Sequence, residues 1–483
     1  MHSIIKIHQC ILMLTCIRNI AMVKSVGRFR IGPKRGPVSL QRNLLTLLLA
    51  VLGTTTRLCA QQERVGLEDA LRLALADNRS VQASALDVQR AAETLKAAKT
   101  QRLPSFAVDA DFGMPLTRPF LEIGKGVLGN VNGSPLPEEL VRLTSTRTPS
   151  VLALGQVQEP LSRQYQIGLE IKALDIGRQI EAEKLRASKQ EIANQVRILY
   201  AQLVDETDAV TVSQDGVRLF TELERITSVR LSEQTVLRSD LVQVQARLSN
   251  AKYQQTIAEN ALIKDKERLN LLMGRSVDAE FEVDPDSDLS AELPTQAEAV
   301  ATALRLRPDL KEAQLQIERD DLERRAKKAE YIPDVSLHAD YVNLAGSGLP
   351  IGGSGFAEVG LQLRWEPFDW GRKRHEIAEK TAVVTQARLA ATEAQSKVRI
   401  DVSSALRDVQ AATQLLGSAH LDEQAAEESL RVVQAKYGQR AALLDEVLKA
   451  QSACAQAHLE VSRARTTIRT NRALLSKAIG EDL

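Results

Sequence analysis

The chain says nearly the same thing twice, at a period far longer than any stacked repeat. Ala74-Leu75, Val81, Leu86, Val88, Arg90, Lys99, Pro104 and Ala110-Asp111 recur as Ala303-Leu304, Leu310, Leu315, Ile317, Arg319, Lys328, Pro333 and Ala339-Asp340, always 229 residues later (333 − 104). Farther on, Gln158-Glu159-Pro160-Leu161 matches Trp365-Glu366-Pro367-Phe368 at 207 (367 − 160), and Met273-Gly274 matches Ile479-Gly480 at 206 (479 − 273). Solenoid units run to roughly 20–50 residues, so this spacing marks the duplication of one large unit. Each unit reads helix, strand, loop, strand, long helix, long helix.

The long helices are legible from their seams. Val384, Ala387, Ala391, Ala394, Val398, Val402, Ala405, Val409, Ala412, Leu416 and Ala419 keep a 3,4,3,4,4,3,4,3,4,3 spacing, a coiled-coil stripe with one stutter. Beyond Tyr437-Gly438 the stripe resumes at Leu443, Val447, Ala450, Cys454, Ala457, Val461, Ala464 and Ile468. The first unit shows Ile192, Val196, Leu199 and Leu203, then Leu237, Leu241, Val244, Leu248 and Ala251. Alanine at so many seam positions lets helix axes approach closely. Aromatics are scarce at 3% of residues, which fits thin helical walls better than a broad core. On this seam Cys454 reads as a small buried hydrophobe.

Ahead of the long helices, each unit carries one shorter helix, from about 67 to 99 and from about 295 to 330. Phe106–Phe112 then alternates apolar and polar as a half-buried strand does. Residues 113–150, rich in Pro and Gly, read as a long loop, and Val151–Val157 as a second strand. The second unit repeats this with strands over Val335–Val342 and 357–365 around the glycine-rich stretch Gly346–Gly355.

The N-terminal region reads as a leader. Lys24, Arg28, Arg30, Lys34, Arg35 and Arg42 precede the apolar run Leu44–Leu52, and Cys59-Ala60 supplies a small residue at a cleavage point. The expected organisation is a signal peptide over 1–60, with Met22 as an alternative start. A first repeat follows over 61–274 (strands about 105–113 and 150–158, long helices about 161–273). An acidic linker covers 275–294, and a second repeat covers 295–483 (strands about 334–343 and 357–366, long helices about 368–480). Cys10, Cys16 and Cys59 fall in the leader, so Cys454 alone remains and no disulfide framework is available.

The search for chemistry gives nothing. His338, His375, His420 and His458 are far apart in sequence and lack ligand spacing, and no nucleophile elbow or phosphate loop is present. The expectation is no enzyme, no cofactor and no metal. Net charge is +1, with acids and bases interspersed, so nucleic acid is not an expected partner.

Past the leader no apolar run reaches the 18 or more residues of a spanning helix. Amphipathic strands could still cross a membrane, but only closed into a barrel, which takes about eight. Four per chain are too few. The fold class expected is therefore mainly α with transmembrane β: a duplicated helix–strand–strand–helical hairpin unit whose four strands are pooled among chains into a β-barrel, above a helical barrel.

At this point the chain resembles the TolC family of outer-membrane efflux proteins over essentially its whole mature length. The residues that carry the resemblance are Arg307-Pro308-Asp309-Leu310, Ile332-Pro333, Trp365-Glu366-Pro367-Phe368-Asp369-Trp370-Gly371, Lys436-Tyr437-Gly438, Asp445–Gln451 and Ala478-Ile479-Gly480. The resemblance implies a homotrimer with a twelve-stranded barrel in outer-membrane lipid and a periplasmic α-barrel. It implies a passive exit duct for tripartite pumps or type I secretion, with a periplasmic adaptor and an inner-membrane pump as partners. The rival reading is a periplasmic coiled-coil adaptor or scaffold.

In such a duct the periplasmic mouth lies at the helix ends. The implied gate residues are Asp240, Arg440, Asp445, Glu446 and Lys449, with Asp240 the first-unit equivalent of Glu446 (446 − 240 = 206). The implied adaptor-docking tips are Ser232, Glu233, Tyr437, Gly438 and Gln439. Phe106, Phe112, Tyr341, Phe356, Trp365, Phe368 and Trp370 are candidate membrane-interface aromatics, because such rings suit the lipid–water boundary. Lys449 stands where the family often has an acid, and Ser232 stands where the second repeat has Gly438.

Overall fold

The computed structural model describes residues 64–114, 116–118, 120–144, 147–284, 293–346, 354–439 and 441–481. The expected signal peptide, Arg440 and the middle of the acidic linker lie outside the described residues.

The duplication is visible in the element boundaries. The first repeat opens with β1 (Arg64–Val65), α1 (Leu67–Asp77), α2 (Arg79–Thr100) and β2 (Ser105–Gly113). The second opens with α5 (Gln296–Leu306), α6 (Pro308–Ala329) and β9 (Asp334–Ala345). The starts of α5, α6 and β9 each lie 229 residues after those of α1, α2 and β2 (296 − 67, 308 − 79, 334 − 105).

Each single helix expected before the first strand is in fact two. In the first repeat Asn78 is extended, and its side-chain oxygen accepts the N–H groups of Ser80 and Val81, capping α2. Its amide also donates to Leu272 O at 2.9 Å. At the same place in the second repeat Arg307 is extended, because Pro308 disfavours helical geometry in the residue before it. Periodicity alone runs through both breaks, since the apolar face stays in phase.

The strands β7 (Ser150–Pro160) and β10 (Ser354–Arg364) complete one antiparallel sheet, in the order β10–β9–β7–β2. The β7–β9 ladder joins the two repeats. The long loop expected over 113–150 contains two short ladders. β3 (Phe120–Ile123) pairs with β6 (Val141–Thr144), and β4 (Asn130–Val131) pairs with β5 (Ser134–Pro135). The Arg142 guanidinium lies 4.1 Å from the centre of the Phe120 ring and pairs with Glu122 across the first ladder. Interspersed Pro and Gly dilute the alternation of these strands below legibility.

Long helical hairpins follow each strand pair: α3 (Gln164–Ser232) with α4 (Arg238–Leu272), and α7 (Arg372–Gly438) with α8 (Leu444–Ile479). At 1.5 Å rise per residue, α3 and α7 each extend about 100 Å. Most of the seam is buried: Val384, Ala391, Val398, Val402, Ala405, Val409, Ala412 and Ala419 on α7, and Val447, Cys454, Val461, Ala464 and Ile468 on α8; Leu443 and Leu237, expected to open the α8 and α4 seams, are instead 70% exposed N-caps of those helices.

The larger cores lie where each broken helix crosses its own hairpin. In the first repeat Val65, Ala70, Ala74, Val196, Leu203, Leu269 and Phe281 pack together, with β8 (Glu282–Val283) paired in parallel to β1. In the second, Ala299, Ala303, Leu310, Val398, Val402, Val409 and Ile479 do the same. The repeated Met-Gly and Ile-Gly pairs now have a reason. Gly274 and Gly480 end α4 and α8 at φ +72° and +77°, a left-handed conformation that favours glycine. A side chain at Gly274 would strike Asp77 O, and one at Gly480 would crowd Arg307, so both helix ends butt against the break in the preceding helix.

Candidate functional site

Register separates the sheet into two unlike faces, because residues directly opposite in an antiparallel pair share a face. Phe106, Val108, Ala110 and Phe112 of β2 stand opposite Val157, Gly155, Ala153 and Val151 of β7. The same face continues through Leu337, Ala339, Tyr341 and Asn343 of β9 to Leu361, Val359, Ala357 and Gly355 of β10. Apart from Asn343 and Glu159, which stands opposite Leu337, it is apolar, yet Val108 and Val359 are 81% and 75% exposed. An exposed continuous apolar surface of this kind calls for lipid or a partner.

The opposite face carries Asp109, Asp111, Gln156, Gln158, Ser336, His338, Asp340, Glu358, Gln362 and Arg364, with Leu152, Leu154, Val342 and Leu344 among them toward the loop end. His338 Nε2 lies 3.8 Å from Asp340 and 4.0 Å from Glu358, a set able to hold a cation. Gly360 sits opposite His338, and a Cβ there would come within 2.8 Å of the imidazole. Strands of 9 to 12 residues suit a bilayer crossing when tilted. The outer edges of β2 and β10 have no strand beside them among the described residues, a condition lipid does not tolerate.

The aromatics divide by position. Phe106, Phe112 and Tyr341 lie on the apolar face. Phe356 does not: it stands opposite Val342 on the polar face, in the row of Asp109 and Leu154. Alternation was readable there, but its phase needed the register. Trp365, Phe368 and Trp370 follow β10 and lead into α7, with the rings of Phe368 and Trp370 4.8 Å apart, edge to face. Trp370 is 88% exposed.

The local chemistry of this junction explains the Trp365–Gly371 motif. Asp369 accepts the N–H groups of Gly371 and Lys373, satisfying donors at the start of α7. Glu366 pairs with Arg372 at 2.7 Å and with buried Lys373 at 3.5 Å. Trp370 and Gly371 take left-handed backbone angles to make the turn.

At the far end of the hairpins, two five-residue turns of equal length (233–237 and 439–443) join the helices. The two repeats touch here: Arg230 Nη1 donates to the Tyr437 hydroxyl at 2.9 Å, with the guanidinium 5.3 Å from the centre of that ring. Asp240 accepts the N–H of Leu237, closing the first turn of α4. Asp445 pairs with Lys449 at 2.6 Å and accepts from Gln243 of α4, and the lysine holds its carboxyl below the usual range. Lys449 is thereby engaged within its own helix. Glu446 is exposed and makes no ion pair among the described residues. Ser232 donates to Val229 O. A side chain at Gly438 would meet nothing within 4 Å, so the serine that replaces glycine in the first repeat costs little. Glu233 and Gln439 cap the ends of α3 and α7.

Sequence reasoning missed one further group. Packing of α7 on α8 brings His420, Glu423 and Glu427 beside Cys454 and His458. The i, i+4 spacing of Cys454 and His458 was the only available signal.

The family model "Outer membrane efflux protein" matches residues 299–481. No curated protein matches the chain in sequence. Among solved structures, the Campylobacter jejuni CmeC outer membrane channel is 16% identical with a TM-score of 0.71, covering 86% of this chain and 85% of that one. The open state of the Neisseria gonorrhoeae MtrE outer membrane channel is 18% identical with a TM-score of 0.66, covering 86% and 88%. The Vibrio cholerae outer membrane protein VceC is 15% identical with a TM-score of 0.68, covering 86% and 96%.

Proposed function

We infer that this chain, whose second repeat matches the outer membrane efflux protein family model, is an outer-membrane channel that serves as the exit duct of an efflux pump or type I secretion system. The observation that carries this reading is the two-faced sheet: a continuous apolar face, a polar face behind it, and two open edges. Adjacent strands alternate in direction from β10 to β2, so β2 of one copy can continue the ladder antiparallel to β10 of the next. Three copies give twelve strands, enough to enclose an aqueous lumen. The apolar face then meets lipid, the polar face lines the lumen, and the hairpins extend into the periplasm. Transport is passive, and energy comes from an inner-membrane pump coupled through a periplasmic adaptor that docks on the tips around Ser232, Glu233 and Tyr437–Gln439. Asp240, Asp445, Glu446 and Lys449 surround the mouth and set its charge.

The adaptor or scaffold alternative gives the exposed apolar sheet face no role. Planar-bilayer recording of the purified, chemically cross-linked protein decides between them. Discrete current steps from a trimeric species are expected; a detergent-independent, silent monomer would overturn the duct.

A further inference from the structure

We propose that His338, Asp340 and Glu358 bind one divalent transition-metal ion of the zinc class per chain, on the polar face of the sheet within the β9–β10 hairpin. All three stand on the same face: His338 and Asp340 are two residues apart on β9, and Glu358 is directly opposite Asp340 on β10. His338 Nε2 lies 3.8 Å from Asp340 Oδ2 and 4.0 Å from Glu358 Oε1. Each residue offers a ligand atom within 4.8 Å of those of the other two. Bonds of about 2.0–2.2 Å from a tetrahedral zinc to nitrogen and oxygen set its ligand atoms about 3.3–3.6 Å apart. A small rotation of the carboxylates closes that difference, and Glu358, with its side chain 59% exposed, has the room to make it. The fourth corner is left to water.

Electrostatics and packing both favour an ion here. Like charges directly opposite on neighbouring strands destabilise a sheet, yet Asp340 faces Glu358 and neither pairs with a lysine or arginine among the described residues. His338 stands beside them, too far from either for a hydrogen bond. Nδ1 of the same ring is buried without a partner, so no hydrogen bond fixes the imidazole. Its place comes from Gly360 opposite, where a Cβ would come within 2.8 Å of Cε1 and 2.9 Å of Nε2. A dication held by Nε2 and both carboxylates engages the ring nitrogen and cancels the repulsion together. Imidazole among oxygen ligands suits zinc-class ions, whereas magnesium and calcium take oxygen ligands.

The duplication supplies an internal comparison. At the shift of 229, Asp109 and Asp111 of β2 hold the places of His338 and Asp340. Across the ladder, β7 offers them Leu154 and Leu152 where β10 offers Gly360 and Glu358. The first repeat thus keeps acids on this face but lacks the imidazole, the facing carboxylate and the glycine that makes room for the ring.

The test is calorimetric titration of the purified, untagged full chain in detergent with ZnCl2, in excess Mg2+ and without chelators. Losing even an outer partner of a metal ligand costs about 10–100-fold in affinity, so loss of a ligand should weaken binding at least about tenfold. Expected is one equivalent per chain, weakened to that extent in His338→Gln, in the near-isosteric Asp340→Asn and in Glu358→Gln, whose exposed side chain does not threaten the fold. Gly360→Ala should weaken it with all three ligands still present, and Asp109→Asn should leave it unchanged. No zinc bound, or affinity and stoichiometry unchanged in both His338→Gln and Glu358→Gln, overturns the proposal. The site lies within one chain and is read without current, so its failure leaves the duct intact; only the placing of three such sites around a lumen rests on the duct reading.

Discussion

Glu206 shows how one side chain can make the wall of this molecule pH-sensitive. Burial, then the charge and hydrogen bonding of Asp265, then Asp205, push its carboxyl up to about 7 against the opposing Arg268. One of its oxygens is buried without a hydrogen-bond partner. The folded chain therefore keeps this proton at pH values where the unfolded chain, with an ordinary carboxyl near 4.5, has lost it. The resulting stabilisation is complete below about 4.5 and is lost as pH rises toward 7. Glu206→Gln carries no charge to desolvate. It should unfold at a higher temperature than the wild type at pH 8, by less than about 1 kcal/mol after solvent screening, and together with it at pH 4.5. A thermal shift of equal size at both pH values would reject protonation as the cause. Arg307 makes a different point about legibility. Arg307-Pro308-Asp309 was visible as a motif, yet its purpose was not. The guanidinium ties Asp309 at 2.7 Å to Asp401 of α7 at 3.1 Å and so fixes the helix break against the hairpin. That partner is 94 residues away, beyond any spacing argument.

At the scale of elements, what the sequence exposed were periodicities, and what it hid were phases and breaks. The α7 seam was readable because Val398, Val402, Ala405 and Val409 must all face one neighbour. The split at Asn78 was not, since capping replaces backbone hydrogen bonds without disturbing the apolar stripe. The strands show the same limit: Phe356 and Val359 are both apolar and exposed, but an odd separation puts them on opposite faces. That assignment is testable within β10. Val359→Arg places a charge on the apolar face near mid-strand, where lipid makes it cost about 2–4 kcal/mol. Gln362→Arg, on the polar face, should leave assembly unchanged and alter ion selectivity instead. The readout is the oligomer retained on unheated gels, a trimer in the proposed assembly: Val359→Arg should diminish it and Gln362→Arg should not. Equal loss for both variants would refute the two-faced sheet.

At the scale of the whole molecule, the hairpin tips are where the two repeats stop being equivalent. Arg230 clasps Tyr437 across the repeats, Asp445 holds Lys449, and Gln243 reaches Asp445 from the neighbouring hairpin. These contacts draw the tips together within one chain and leave Glu446 exposed. Threefold assembly would bring three copies of Glu446 and Asp240 around one axis, where like charges in a narrow aqueous passage govern both ion passage and the ease of opening. Asp240 has a second duty, because its carboxylate accepts the Leu237 N–H. Asparagine can perform that capping without charge, so Asp240→Asn with Glu446→Gln changes the electrostatics while sparing the turn. The expected result is a larger single-channel conductance than wild type and a weaker preference for cations, both fading at high salt as screening shortens to about 3 Å at 1 M. Current and selectivity unchanged at low salt would remove these two residues from the gate and shift attention to the Arg230–Tyr437 clasp.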